Sequence, residues 1–276
     1  MRLDPDRLVS LVIPDRTVTW QDRDAMLYAL AVGARADELA LVYEPALAVV
    51  PSFAQMLAFD DGWLDLAGVE LASVVHGGLD LSFDAPFPAA GEARVSGSIA
   101  ALSDKGEGRG GILHQETVLS GPAGRYATVR SSLFVRGGGG FGGDRGPQPL
   151  TLKSPDRAPD ATETVATAAN QAALFRLLGD RNPLHIDPAF AAAAGFPAPI
   201  LHGASSFGLA CLTVIRSFCA GDPAKLARFA ARFTGPVFPG ESLTFDFWHD
   251  AGDLRFRAGS AERGTVVLDG GLATFH

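Results

Sequence analysis

Apolar and polar residues alternate with period two in several stretches of the C-terminal half. Leu243, Phe245 and Phe247 alternate with Thr244, Asp246 and Trp248, and Leu254 and Phe256 alternate with Arg255 and Arg257. Thr265 to Phe275 reads as one more strand. The N-terminal half has the same pattern, with Ala93, Val95, Gly97 and Ile99 set against Arg94, Ser96 and Ser98. Such alternation predicts half-buried antiparallel strands. Two stretches predict the helices that open each half. The first starts near Thr19, with Asp22 placed for a capping box, and ends near Val32 before Gly33. The second runs from about Asn170 to Leu178 and is stopped by Gly179. Asp187-Pro188 then reads as a cap with proline at the first helical position, for a short helix ending at Gly195. A longer helix from about His202 to Cys219 is small or apolar nearly all round, and a helix without a polar face is buried. Helix first, then a strand meander, with one helix inside: this is an α+β pattern, a sheet curled around a central helix.

The two halves resemble diverged copies. Phe83 and Pro86 stand before a Gly91-Glu92 pair as Phe233 and Pro236 stand before Gly240-Glu241, and both Phe and Pro are offset by 150 positions. Between the copies, Val135 to Ala161 holds Gly137 to Gly140, Gly142, Gly143, Pro147, Pro149, Pro155 and Pro159, which reads as a flexible connection. The expected division is therefore residues 1–135, a connection over 136–161, and residues 162–276. Gly138, Gly140 and Gly143 have the spacing of a dinucleotide fingerprint, but Asp144-Arg-Gly-Pro147 follows where a helix is required.

With 276 residues, 47% of them hydrophobic and 20% charged, the chain is long enough for two folded units with a sizeable core. Its net charge of −8 removes any general attraction to nucleic acid. Cys211 and Cys219 lie in one helical stretch, eight residues and roughly 12 Å apart, too far for a disulfide. A reducing compartment such as the cytoplasm is expected. Met1 to Arg16 has three Asp/Arg pairs and no long apolar run, so no signal peptide is predicted. Pro188 to Ile215 carries no formal charge, but Gly195, Pro197 and Pro199 interrupt it, and membrane insertion is not expected.

The chemistry concentrates in Gly179 to Pro188. Asp180 and His185 flank Pro183, which stops the preceding helix and holds Asn182 extended, so the loop is able to aim both side chains at one place. A carboxylate and an imidazole sharing a water suit general acid–base work near neutral pH. Taken alone, the pair reads more readily as a helix-end cap and a satisfied surface histidine, since turn residues are common at helix ends. Eighteen residues on, Pro199-Ile-Leu-His202-Gly203 leads into the buried helix. The Gly203 amide then sits in the first turn, unpaired within the helix and at its positive end, where it is suited to polarise a thioester carbonyl.

Gly179-Asp180-x-Asn182-Pro183-Leu184-His185-x-Asp187-Pro188, then Gly195-Phe196, then Pro199 to Gly203 resembles, in order and spacing, the signature of the (R)-specific enoyl-CoA hydratases, the hydratase 2 or MaoC-like dehydratase family. The first half resembles the degenerate N-terminal domain of two-domain members through Met26 to Ala34, Val42-Tyr43-Glu44, His76-Gly77, Asp104-Lys105-Gly106 and Gly139 to Gly143. The resemblance implies a double hot-dog fold, two antiparallel sheets each wrapping a long helix. It places the catalytic pair on Asp180 and His185, the oxyanion amide on Gly203, and Asn182 in the same loop. It places His76, Gly77, Lys105 and Phe233 along the acyl-CoA site, with Tyr28 and Glu44 near it in supporting roles. Phe233 and Tyr28 also read as core residues, and Lys105 as a solvated turn. The first half has Ala34-Arg35-Ala36 where the acid–base loop would stand, so one active site per chain is expected. The implied activity is a hydro-lyase, converting a trans-2-enoyl-CoA and water to a (3R)-3-hydroxyacyl-CoA without metal, nucleotide or redox cofactor. The partner is an acyl-CoA thioester, and a homodimer is expected by resemblance. A hot-dog thioesterase and a non-catalytic acyl-CoA-binding protein are the alternatives.

Overall fold

A computed structural model describes residues 2–145 and 153–276; Pro147 and Pro149 of the glycine- and proline-rich connection lie outside them. The strands are β1 (Arg16–Trp20), β2 (Val74–Phe83), β3 (Gly91–Asp104), β4 (Gly111–Gly121), β5 (Gly124–Val135), β6 (Ala161–Ala166), β7 (Leu226–Phe233), β8 (Ser242–Asp250), β9 (Asp253–Ser260) and β10 (Val266–Phe275). The helices are α1 (Pro5–Val9), α2 (Asp22–Ala31), α3 (Leu39–Val42), α4 (Ala54–Ala58), α5 (Trp63–Ala67), α6 (Gln171–Phe175), α7 (Pro188–Ala193) and α8 (Gly203–Phe218). All ten strands form one antiparallel sheet in the order β1-β3-β4-β5-β2-β7-β10-β9-β8-β6.

That order displays the internal repeat. Counting strands from the start of each half, both sides of the β2–β7 seam read 2-5-4-3-1 outward. Phe83 and Phe233, the matching phenylalanines of the sequence repeat, end β2 and β7, the two strands that meet. The seam pairs Gly78 with Arg232 and Ser82 with Arg228. On its polar face Arg228 grips Asp80 with two bonds of 2.8 and 2.6 Å. Gly78 allows the two backbones to close up, since a Cβ there would lie 2.8 Å from the Ala231 carbonyl oxygen.

The sheet wraps α8 as the all-apolar pattern requires. Every residue from Ser205 to Ile215 is buried. Phe207 meets Phe229 of β7 edge-on at 4.9 Å, and Phe229 stacks on Phe256 of β9 at 5.0 Å. The first half has no counterpart of this length: its segment under the sheet is a 3-10 turn at Pro51–Phe53 followed by the five-residue α4. The architecture is the expected double hot-dog, with the sheets fused edge to edge and one of the two central helices reduced.

Boundaries shift in three places. β1 extends through Thr19 and Trp20, so α2 starts at Asp22, and its cap is the Gln21 amide bonded to the Asp24 carboxylate at 2.9 Å, not a box built on Thr19 and Asp22. The helix expected over 170–178 is α6 continued by a 3-10 turn over Arg176–Leu178, ended at Gly179 with φ of 132°. The glycine run after β5 folds back on the β3–β4 turn, where the Asp104 carboxylate accepts bonds from the amides of Gly106, Gly140 and Gly142 at 2.7–2.8 Å. These bonds hold the Asp104 carboxyl below the usual range.

Gly208, in the middle of α8, faces α2 so closely that a Cβ would lie 2.4 Å from Val32 Cγ1 and 2.7 Å from the Tyr28 hydroxyl. Alanine normally gains about 1 kcal/mol over glycine inside a helix. Overpacking a tight core contact costs about 1–3 kcal/mol, and here it dominates. Gly208→Ala is expected to lower the urea midpoint of unfolding; a raised midpoint would show that α2 and α8 are free to move apart.

Candidate active site

The loop before α7 is built from short polar side chains that fix the backbone. The Asp180 carboxylate accepts from the Asn182 amide at 3.1 Å, and the Asn182 side chain accepts from the Leu184 amide at 3.0 Å. Pro183 begins a 3-10 turn through His185, and Asp187 caps α7 through the amides of Ala189 and Phe190. Asx turns and a proline leave this loop little freedom. Asn182 is exposed, and its side chain serves the turn.

The loop brings Asp180 and His185 together with His202, the residue before α8: one ligand-type atom of each lies within 4.8 Å of the others. The rings of His185 and His202 stack at 3.7 Å, and Phe175 packs on His202 at 4.9 Å. The tautomers follow from the partners. His185 Nδ1 is 2.9 Å from the Ile200 carbonyl, which only accepts, so Nδ1 carries the proton and Nε2 presents a lone pair. His202 Nε2 stands 3.3 Å from the Asp180 carbonyl, so it is the donor, and Nδ1 is left as an acceptor. Burial holds both rings neutral. It lowers the pKa of His185 against the pull of the Ile200 bond and the Asp180 charge, and it lowers that of His202 to about 3, helped by His185 beside it.

Gly203 opens α8. Its amide finds no acceptor among the described residues, whereas the Ser205 and Ser206 amides both bond to the His202 carbonyl. The ring of Phe233 lies against Gly203, 3.3 Å from where a Cβ would be. Phe233 in turn meets His76 edge-on at 5.0 Å. β2 carries a bulge between His76 and Gly78, and the seam ladder begins only at Gly78–Arg232, so His76 and Phe233 leave the ladder together. A bulge re-aims the side chains beside it. Gly77 is the residue that absorbs this one; a Cβ there would lie 3.2 Å from the Ser132 carbonyl oxygen. His76 is held neutral by burial, with a pKa of about 4, and it feels the Asp180 charge.

The other expected site residues lie on other elements. Tyr28 is fully buried behind α8: its hydroxyl donates to Ser52 Oγ at 2.8 Å and accepts from Gln55 Nε2 at 2.7 Å, and burial raises its pKa. Glu44 sits exposed on a 3-10 turn over Glu44–Ala46. Lys105 lies on the β3–β4 turn, three strands out from β2, about 14 Å by strand spacing. There it lines an open cavity of about 470 Å³ with Asp104, Gly106, Arg109 and Gly143. His202 and Gln55 were not singled out from sequence. A histidine at a helix N-cap is an unusual choice and is the signal for the first. Gln55 carries none, since its bond to the Ala204 carbonyl at 3.0 Å spans 149 positions.

The fold and the site together define a double hot-dog protein with a carboxylate and two stacked imidazoles beside a free helix-terminal amide. Residues 151–270 match the MaoC like domain, and residues 18–137 match the MFE-2 hydratase 2 N-terminal domain. The chain is 39% identical to 3-hydroxyacyl-thioester dehydratase Y of Mycobacterium tuberculosis, covering 100% of this chain and 99% of that protein. It is 34% identical to the peroxisomal enoyl-CoA hydratase 2 of Arabidopsis thaliana, covering 96% and 93%. The MaoC-like dehydratase from Phytophthora capsici superposes with a TM-score of 0.90 at 30% identity, covering 98% of both chains. This chain belongs to the MaoC-like dehydratase family, among the two-domain proteins with a hydratase 2 N-terminal domain.

The three neutral histidines generate a stability prediction. Their pKa values are lowered on folding, so below about 6.5 the unfolded chain binds more protons than the native one, and stability falls as pH drops toward 4. Each unmatched proton contributes about 1.4 kcal/mol per pH unit. Urea denaturation at pH 7, 6 and 5 is expected to show a progressive loss; a flat profile over that range would mean these rings ionise freely in the native state.

Proposed function

We propose that this protein hydrates trans-2-enoyl-CoA thioesters reversibly to (3R)-3-hydroxyacyl-CoA, with Asp180 and His185 holding the water and the Gly203 amide holding the thioester oxygen. The observation that carries the reading is the convergence of the Asp180, His185 and His202 side chains within 4.8 Å at the start of α8, where the Gly203 amide has no acceptor among the described residues. The dehydratase and hydratase names of the relatives support the same chemistry.

In this mechanism the water donates one hydrogen to the Asp180 carboxylate and one to His185 Nε2. Its oxygen attacks C3 of the enoyl group while its proton passes to Nε2. The π electrons move into the thioester, and the enolate oxygen is stabilised by the Gly203 amide and the positive end of α8. The imidazolium then returns the proton to C2 on the same face. Burial makes His185 a weak base but a good proton donor, and the Asp180 charge stabilises the imidazolium while it exists. His202 stacks behind His185 and fixes the ring plane. The reading assigns no metal, nucleotide or redox group to the reaction, because the thioester itself takes up the developing charge. It includes a homodimer and a cytoplasmic setting; light scattering of the purified protein tests the first.

Asp180→Asn and His185→Ala are each expected to lower kcat by about 10² to 10⁴ while the protein stays folded. The assay follows loss of enoyl absorbance with crotonyl-CoA and decenoyl-CoA, chiral analysis of the hydroxy product, and free thiol. Thiol release without hydration would move the assignment to a thioesterase. Tight binding without turnover would move it to a binding protein.

A further inference from the structure

Gln55 stands on α4, in the first half of the chain, and is 5% exposed. Its amide nitrogen uses both hydrogens. One goes to the Tyr28 hydroxyl at 2.7 Å, and the other crosses to α8, to the Ala204 carbonyl at 3.0 Å. The turned-over amide is excluded, since it would set Oε1 against that carbonyl, two acceptors face to face. In the orientation that remains, Oε1 is buried and has no donor among the described residues. A buried acceptor left unpaired is destabilising. A methionine or leucine of similar size would fill the space without one. Packing therefore does not account for a glutamine here; what the residue supplies is its N–H.

The Ala204 carbonyl does not depend on that donor, because in an α-helix it already faces the amide four residues on, and the Gln55 bond takes its second lone pair. The consequence lies further along the chain. The Ala204 carbonyl shares a peptide group with the Ser205 amide. That amide donates to the His202 carbonyl at 3.0 Å, joined there by the Ser206 amide at 3.1 Å. The His202 carbonyl in turn shares a peptide group with the Gly203 amide, which has no acceptor among the described residues. A donor on a carbonyl oxygen draws electrons from the N–H of the same peptide group, so hydrogen bonds in series strengthen one another. Helix ends also fray, and a bond from outside holds a first turn in place. We propose that Gln55 is a positioning residue for the hydration reaction: through Ala204, Ser205 and His202 it holds and polarises the Gly203 amide that receives the thioester oxygen. This inference rests on the hydration reading above. The first half, which has no acid–base loop of its own, thereby sets the strength of the oxyanion donor in the second.

The test uses Gln55→Met, which keeps the volume and removes the donor. It is expected to lower kcat for crotonyl-CoA by about three- to tenfold, a part of the about 10²–10³ that such a donor supplies in full, with KM little changed. The spectroscopic readout is 3-oxobutanoyl-CoA, whose C2 proton dissociates to give an enolate with its own near-ultraviolet band and with charge on the thioester oxygen. Bound to Gln55→Met, this ligand should ionise about 0.5 to 1 pH unit higher than when bound to the wild type, because the enolate oxygen meets a weaker donor. Leu57→Ala, on the same helix, removes buried packing and no side-chain hydrogen bond. It should lower the urea midpoint of unfolding and leave the ligand's ionisation where the wild type has it. Unchanged kcat and unchanged enolate ionisation in folded Gln55→Met, or in Gln55→Leu if the methionine variant does not fold, would overturn the Gln55 assignment alone. So would an equal shift of the ionisation in Leu57→Ala. Absence of hydration of crotonyl-CoA by the wild type would overturn the activity reading and this one with it.

Discussion

A helix buried on every side still has to begin somewhere, and its first N–H groups have no acceptors within it. In α8 that beginning falls at Gly203, under the open end of the β2–β7 seam. Two of the early amides are satisfied by the His202 carbonyl, and those of Gly203 and Ala204 find no acceptor among the described residues. A water-filled surface would neutralise such a donor at no cost. Here the Phe233 ring lies against Gly203, and the His185–His202 stack stands just before the helix. The polarising end of a sixteen-residue helix is therefore half-shielded from solvent, where a charge developing on a ligand oxygen would meet it more strongly than in open water.

The seam divides the work between the halves. The second half supplies the long helix and the Asp180–His185 loop; the first supplies strands that continue the sheet and, among its described residues, no central helix as long as α8. The short α4 and the turn before it occupy the room that a second long helix would fill, and they contribute Ser52 and Gln55 to a buried network that includes Tyr28 and the Ala204 carbonyl. Tyr28 thus acts on the start of α8 through Gln55, from behind. Arg228 and Asp80, joined across β2 and β7, and Gly78, which lets the strands close up, hold the two halves in the register that the site needs.

Period-two alternation revealed the strands of both halves because each has one face on the core and one in water; Leu243 to Phe247 and Ala93 to Ile99 are within β8 and β3. The burial of α8 was legible for the opposite reason, since it has no polar face. The short elements were less so. β1 and the start of α2 are separated only by Gln21, and local cap signals at Thr19 and Asp22 are stronger than the actual one. The sequence loop of Asp180 and His185 could be read because proline and Asx chemistry act over two or three residues. His202 joins them by stacking across 17 positions, and Lys105 is separated from β2 by intervening strands; such relations are set by the fold and carry no periodic trace.

The histidines show how the core and the chemistry are coupled. An imidazole in water near pH 6.5 is half protonated and free to exchange tautomers, so neither its charge nor its donor nitrogen is fixed. Burial, tautomer-fixing carbonyls and mutual stacking remove that ambiguity: His185 and His202 are each neutral, each donates one known proton to a backbone carbonyl, and each offers one lone pair. The fold loses stability in acid by holding them so. In the proposed hydration a proton that reaches His185 Nε2 is held by a largely buried ring, with the Ile200 bond and the Asp180 charge in its favour but outweighed by burial, and such a proton is readily passed on. The same burial that makes the rings unwilling bases makes them prompt acids, which is the property a reversible hydration needs on its return step.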